Sequence, residues 1–229
     1  MKPVLIIVTG HAPAPIRARL GDFDHWFRVA LRLPPSRVQA IDAQHAALPA
    51  PHAVAGAVIT GSSAMVTDRA AWSEHLAGWI RTAMDASLPL FGVCYGHQLM
   101  AHALGGRVDD LPGGREIGTQ RIEWLDGEAP AFRAHTTHQQ AVLEAPAGAR
   151  VLARSPRDAR QILEYGPRAM STQFHPEFSA AAMRGYIALR AGTLRDEGMD
   201  VAALLRDVGP APQARLLLRR FARHCAPAA

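Results

Sequence analysis

The stretch that most constrains the fold is Pro89-Leu90-Phe91-Gly92-Val93-Cys94-Tyr95-Gly96-His97-Gln98-Leu99. An apolar run ends at a cysteine with glycine two residues away on each side. Leu99, Met100, Ala103 and Leu104 then recur at helical spacing until Gly105-Gly106. Such a pattern describes a strand, a sharp turn and a helix, with a nucleophilic side chain at the turn. The glycines have a steric reason: a strained elbow brings its neighbours against other backbone, and a Cβ at 92 or 96 would collide. The elbow would expose the sulfur at the carboxyl end of the strand, under the N-terminus of the next helix. Its dipole and free N–H groups favour thiolate over thiol and can hold a developing oxyanion. The alternative is a buried structural cysteine in a turn that happens to carry two glycines.

A second stretch, Ser171-Thr172-Gln173-Phe174-His175-Pro176-Glu177-Phe178, bears on that choice. Proline after His175 biases the histidine to extended backbone. In an extended segment i and i+2 share a face, which would put Glu177 beside His175. A carboxylate there can fix the imidazole tautomer and stabilise the imidazolium, leaving the other ring nitrogen for Cys94. Alone, the tripeptide would read as a surface turn. Behind a cysteine elbow it reads as a base and its orienting acid.

Taken together, Gly92-Val93-Cys94-Tyr95-Gly96-His97-Gln98 and His175-Pro176-Glu177 resemble the two hallmarks of the class I (triad-type) glutamine amidotransferases. The similarity covers about residues 1–190 and is strongest to stand-alone members similar to the glutaminase half of GMP synthase. The resemblance implies an open, mixed, mostly parallel α/β sheet of flavodoxin-like type, flanked by helices. It implies Cys94 as nucleophile, His175 as base and Glu177 as its partner, acting on glutamine or another γ-glutamyl amide without metal or organic cofactor. It also implies oxyanion N–H groups from Tyr95 and from Gly61 or Ser62. In the family the loop after the third strand is Gly-Gly-Pro or Gly-Ser-Pro, and Ser63 here departs from that proline. Gln98 would contact the substrate, and the backbone of a loop at His138 and Gln139 would grip the amino-acid end of glutamine. Ammonia in the family usually passes to a synthetase domain. None is evident in this sequence, which leaves a synthetase partner in trans, a free-standing γ-glutamyl amide or peptide hydrolase, or a quiet regulatory subunit.

The rest of the chain fits such a sheet. Val4 to Val8 reads as a strand buried on both faces, and a helix is expected from Ile16 to Leu33, closed by Pro34-Pro35. His11 reads as an exposed loop residue. Val38–Ile41 and Gly56–Thr60 read as strands. Asp68 or Thr67 is expected to cap a helix over Ala70–Ala86, whose Trp72 and Trp79 read as packing. Short alternating segments follow from Arg107 to Ala153, among them Ile117–Trp124. His135-Thr136-Thr137-His138 has metal-like spacing, but no cysteine or carboxylate ligand stands near it in sequence. Val151–Ala153, Ile162–Leu163 and Met170–Phe174 complete the sheet. Helices are expected over Ala180–Asp196, Ala202–Asp207 and Gln213–His224, the last amphipathic and basic, covering its own domain.

Composition narrows the setting. At 229 residues the chain suits one domain, 1–229, with a core of about 1–190 and a helical extension over 191–229 packed on it. No apolar run reaches membrane-spanning length, and the N-terminus reads as a strand and not a signal peptide. Two cysteines, Cys94 and Cys225, make no disulfide framework and fit a reducing, cytoplasmic compartment. The net charge of +5 comes from scattered arginines (Lys2 is the one lysine), with no basic stripe interleaved with aromatics. Neither a nucleic-acid nor a membrane partner is expected.

Overall fold

The computed structural model describes residues 2–226. The extremes of the expected 1–229 domain, Met1 and residues 227–229, lie outside them. The chain opens with β1 (Val4–Val8), then α1 (Ala14–Leu20), α2 (Phe23–Leu31), β2 (Val38–Asp42) and β3 (Gly56–Ile59). Next come α3 (Ala71–Asp85), β4 (Leu90–Val93) and α4 (Tyr95–Ala103). The segment β5 (Arg107–Asp110), β6 (Glu116–Trp124), β7 (Phe132–His138), β8 (Gln140–Glu144), β9 (Arg150–Arg154), β10 (Ile162–Gly166) and β11 (Ala169–Thr172) is all strand. Four helices close the chain: α5 (Ala180–Leu189), α6 (Ala191–Asp196), α7 (Val201–Asp207) and α8 (Pro212–His224).

The main sheet runs β2-β1-β3-β4-β11-β10-β9-β6-β7. Its first five strands are parallel, and the remainder extends them antiparallel. This is the mixed, mostly parallel α/β sheet flanked by helices that the motifs imply. The reason is visible in β1, where apolar side chains alternate between two cores. Val4, Ile6 and Val8 join Phe27 of α2, Ile187 of α5 and Phe221 of α8, whereas Leu5 and Ile7 join Leu76 and Ile80 of α3 and Leu99 of α4. A run apolar at every position is what two-sided burial requires. Because β2 and β3 flank β1 on opposite sides, chain direction across the sheet reverses at β1/β3, and a crevice opens at the carboxyl ends there.

Several expected elements differ. The helix over Ile16–Leu33 is two helices, because Gly21 takes φ 82° and Asp22 then caps α2, accepting from the N–H groups of Phe23 and Ala12 at 2.8 Å. The expected cap of α3 by Thr67 or Asp68 is absent: both lie in a 3₁₀ turn and the N-cap is Ala70, without a side-chain bond. The helix over Ala180–Asp196 breaks at Arg190, with φ −99° and ψ 11°. Trp72 stacks on Tyr95 at 5.5 Å, so it packs behind the elbow. The basic last helix packs on its own sheet, with the rings of Phe91 and Phe221 5.6 Å apart.

Candidate active site

The elbow forms as its glycines require. Cys94 has φ 53° between β4 and α4, a left-handed conformation that costs a side-chain-bearing residue on the order of 1–3 kcal/mol. A Cβ on Gly92 would stand 2.5 Å from the carbonyl oxygen of Gly96, and one on Gly96 would run into the carbonyl oxygen of Ile59. Strand, elbow and helix are therefore pressed against β3 with no room for a methyl group. Tyr95 begins α4, and among the described residues its N–H has no backbone acceptor, as first-turn donors lack one.

His175 reaches Cys94 from the loop after β11, the parallel neighbour of β4. Both side chains border Gly61: a Cβ built there would lie 2.9 Å from His175 Cε1 and 3.6 Å from Cys94 Cβ. The ring's Nδ1 donates to Glu177 Oε1 at 2.7 Å, and its face stacks on Phe178 at 4.0 Å. This pairing does not arise from extended backbone as expected. Pro176 and Glu177 form a turn, with Phe178 N donating to the His175 carbonyl at 3.3 Å, and the turn brings the carboxylate back to the ring's Nδ1. The Nε2 of His175, on the opposite edge of the ring, is buried with no hydrogen-bond partner among the described residues. All three residues are buried, Cys94 the least so at 6% exposure.

Burial would raise the Cys94 thiol, but the charges of the His175 imidazolium and of His138 outweigh that and hold it below the ordinary thiol range. Burial would likewise lower His175, and Glu177 and the sulfur together push it well above an ordinary histidine. Each charge favours the other, so the two shifts run in the direction of a thiolate–imidazolium pair. Neighbouring histidines do the opposite. Burial takes His97 down to about 3, bonded to Ser171 Oγ at 2.7 Å. Burial and the His175 charge take His135 down to about 4. Both are neutral at pH 7.

The loop after β3 is held from two sides. Gly96 N donates to the Thr60 carbonyl at 3.1 Å, and Thr9 Oγ1 lies 3.0 Å from the same oxygen and 3.1 Å from the Gly61 carbonyl. Thr60 Oγ1 accepts from Thr9 N at 3.0 Å and donates to the Gly61 carbonyl at 3.1 Å. In a trans peptide the N–H opposes the C=O, so with the Gly61 carbonyl fixed on two hydroxyls the Ser62 N–H points the other way. Sequence reasoning missed Thr9 and Thr60. The signal was the matched ending of two neighbouring parallel strands, Val8-Thr9-Gly10 and Ile59-Thr60-Gly61.

The three residues expected at the substrate separate. Gln98 is buried below the elbow, its Nε2 donating to the Gln140 carbonyl at 2.6 Å and to Gln173 Oε1 at 3.0 Å. His138 turns inward, its Nε2 3.0 Å from Glu116 Oε2, and Glu116 also accepts from Ser155 and Gln161. Gln139 is exposed, with only its carbonyl engaged, by Leu111 N at 2.7 Å. So the structure brings Cys94, His175, Glu177 and the Gly61 loop together and engages the Gln98 and His138 side chains in buried networks; the exposed Gln139 side chain is not what the expected backbone contact would use. His11 is exposed and bonds Asp22 at 2.8 Å.

The family model described as Glutamine amidotransferase class-I matches residues 36–189, well over half of the 229 residues. This chain belongs to the class I glutamine amidotransferases. It is similar to the GMP synthase [glutamine-hydrolyzing] of Aeropyrum pernix, 34% identical over 146 residues that cover 60% of this chain and 26% of that one. It is also similar to gamma-glutamyl peptidase 4 of Arabidopsis thaliana, 31% identical over 135 residues and 54% of each chain. The chain thus spans only part of these relatives. Among solved structures, a glutamine amido transferase from Methylobacillus flagellatus superposes with a TM-score of 0.74 at 26% identity, covering 98% of this chain and 92% of that one. No helix among the described residues is long and apolar enough to cross a membrane.

Proposed function

We propose that the protein hydrolyses the side-chain amide of glutamine through Cys94, His175 and Glu177 and passes the ammonia to a synthetase partner. The observation that carries this reading is the buried sulfur beside an imidazole whose far nitrogen is held at 2.7 Å by a carboxylate. The thiolate of Cys94 adds to the amide carbon, and the carbonyl oxygen takes the negative charge under the N–H groups of Tyr95 and Ser62. Two donors fixed beforehand need no reorganisation, and losing one typically costs about 3 kcal/mol of barrier. His175 Nε2 gives its proton to the amide nitrogen, the C–N bond breaks, and ammonia leaves a γ-glutamyl thioester. Water then loses a proton to the neutral imidazole and attacks the thioester; glutamate departs and the ion pair re-forms. Glu177 keeps Nδ1 protonated throughout. The Glutamine amidotransferase relatives named as GMP synthases support a synthetase as the acceptor's source.

A second reading, hydrolysis of γ-glutamyl peptides by the same groups on a different leaving group, is favoured by the similarity to a gamma-glutamyl peptidase. Release of glutamate from glutamine by the wild type and Cys94→Ser, with and without co-purifying proteins, tests the first. A wild type that releases glutamate from γ-glutamyl amines but not from glutamine establishes the second. A folded wild type that releases glutamate from neither refutes both.

A further inference from the structure

Arg190 stands where α5 breaks into α6, and it is half-buried. Its guanidinium lies over the ring of Tyr186 at 5.0 Å, yet its Nη1 is fully buried with no hydrogen-bond partner. Among the described residues it forms no ion pair. The charged groups that act on it are Tyr186, Arg115 and Cys94, with no carboxylate among them. Arg115 has its own partner, Glu197, at 3.1 Å. Burial and the like charge of Arg115 both work against the Arg190 cation, so it is held at a cost with a donor unused.

Its position connects that donor to the reaction. Tyr186 packs on Phe178 at 5.0 Å, and Phe178 stacks on His175 at 4.0 Å, so a short run of rings joins Arg190 to the imidazole. A planar guanidinium with an unused N–H matches a carboxylate, which it can grip through two parallel bonds. Every γ-glutamyl substrate carries an α-carboxylate, and a γ-glutamyl peptide carries a second one on the leaving group.

We propose that Arg190 is a specificity-determining residue that binds a carboxylate of the substrate. The proposal rests on the amide-hydrolase reading above. The test compares L-glutamine, γ-glutamyl-alanine and γ-glutamyl-alaninamide with the wild type, Arg190→Met and Arg190→Lys. Methionine keeps hydrocarbon over Tyr186 and removes the charge; lysine keeps the charge and loses the fork. The expected result is a fall in kcat/KM of tenfold or more for Arg190→Met, carried by KM, with partial recovery in Arg190→Lys. A loss confined to γ-glutamyl-alanine assigns the leaving-group carboxylate, and an equal loss on all three assigns the α-carboxylate. Unchanged kinetics, or a fall in kcat at constant KM, overturns the proposal and leaves Arg190 as packing for the histidine's support. Should Arg190→Met fail to fold, a several-fold rise in KM for Arg190→Lys upholds the proposal and wild-type KM overturns it. Hydrolysis of none of the three by the folded wild type removes the amide-hydrolase reading itself, an outcome distinct from failure of the arginine variants alone.

Discussion

Thr9 Oγ1 stands 3.1 Å from the carbonyl oxygen of Gly61, across 52 residues of chain. Thr9 follows β1 and Gly61 follows β3, so the contact links two strands at the point where chain direction across the sheet reverses. In the proposed mechanism this hydroxyl acts without entering the site, because it holds the peptide whose opposite end carries the Ser62 N–H.

Thr9→Val keeps the shape of the side chain and removes this hydroxyl. The peptide between Gly61 and Ser62 then keeps only the Thr60 hydroxyl and loses rigidity. We expect kcat for glutamine to fall about tenfold with little change in KM, since the donor acts on the tetrahedral state. Lost hydrogen bonding should cost about 1–2 kcal/mol of stability, read from denaturant unfolding. A variant with wild-type kcat removes Thr9 from the account.

Gly96→Ala tests the packing of the elbow. The new methyl would meet the Ile59 carbonyl, which is backbone inside the sheet and cannot swing aside. A loss of about 3 kcal/mol is expected, visible as a lower Tm. Gly105→Ala is a useful contrast, because nothing lies within 4 Å of a Cβ there although its φ of 94° is strained. The prediction is that position 96 is the more damaging of the two.

The ion pair predicts a pH profile. Cys94 is held below the ordinary thiol range and His175 above the ordinary imidazole range, which widens the pH window in which both are ionised. Hydrolysis should fall on the acid side as the thiolate is protonated and on the alkaline side as the imidazolium is lost. Iodoacetamide should alkylate Cys94 well below pH 8.5, about where an ordinary thiol begins to react. In His175→Asn the sulfur keeps its burial and loses its cation, so the onset of alkylation should move to higher pH. Cys225 does not interfere, since burial pushes its thiol up to about 12.

Glu177→Gln keeps the size of the side chain and removes a buried negative charge. The imidazolium then loses the carboxylate that raises it, and the thiolate loses stability in turn. A drop in kcat of about 100-fold or more is expected, by analogy with triads whose acid is made neutral. Arg215→Met probes the same turn from α8, whose guanidinium lies 3.3 Å from the Phe178 carbonyl. A fall in kcat of a few-fold without unfolding would tie the last helix to the site.

Parts of this arrangement were legible in the sequence because they are local. Residues 89–104 specify strand, elbow and helix by spacing alone, and Gly92 and Gly96 are needed for the reason expected, close backbone approach. His175 and Glu177 were legible as a pair, although a turn and not extended backbone brings them together. What stayed hidden depends on contacts distant in sequence. Asp22 breaks a helix that periodicity ran through, because its carboxylate reaches Ala12 in the preceding loop. The inward turn of His138 depends on Glu116, a carboxylate from the neighbouring strand. Arg190 carries no sequence signal: it is one arginine among many until burial strips it of partners.

The most direct test of the central claim is the mass of the intact protein after treatment with a glutamine-analogue electrophile, 6-diazo-5-oxo-L-norleucine. A buried thiolate placed to attack a γ-glutamyl carbon should give one adduct, on Cys94, abolished in Cys94→Ser and slowed tenfold or more in His175→Asn. A folded wild type that gains no mass, or a Cys94→Ser variant that gains the same mass, contradicts the account.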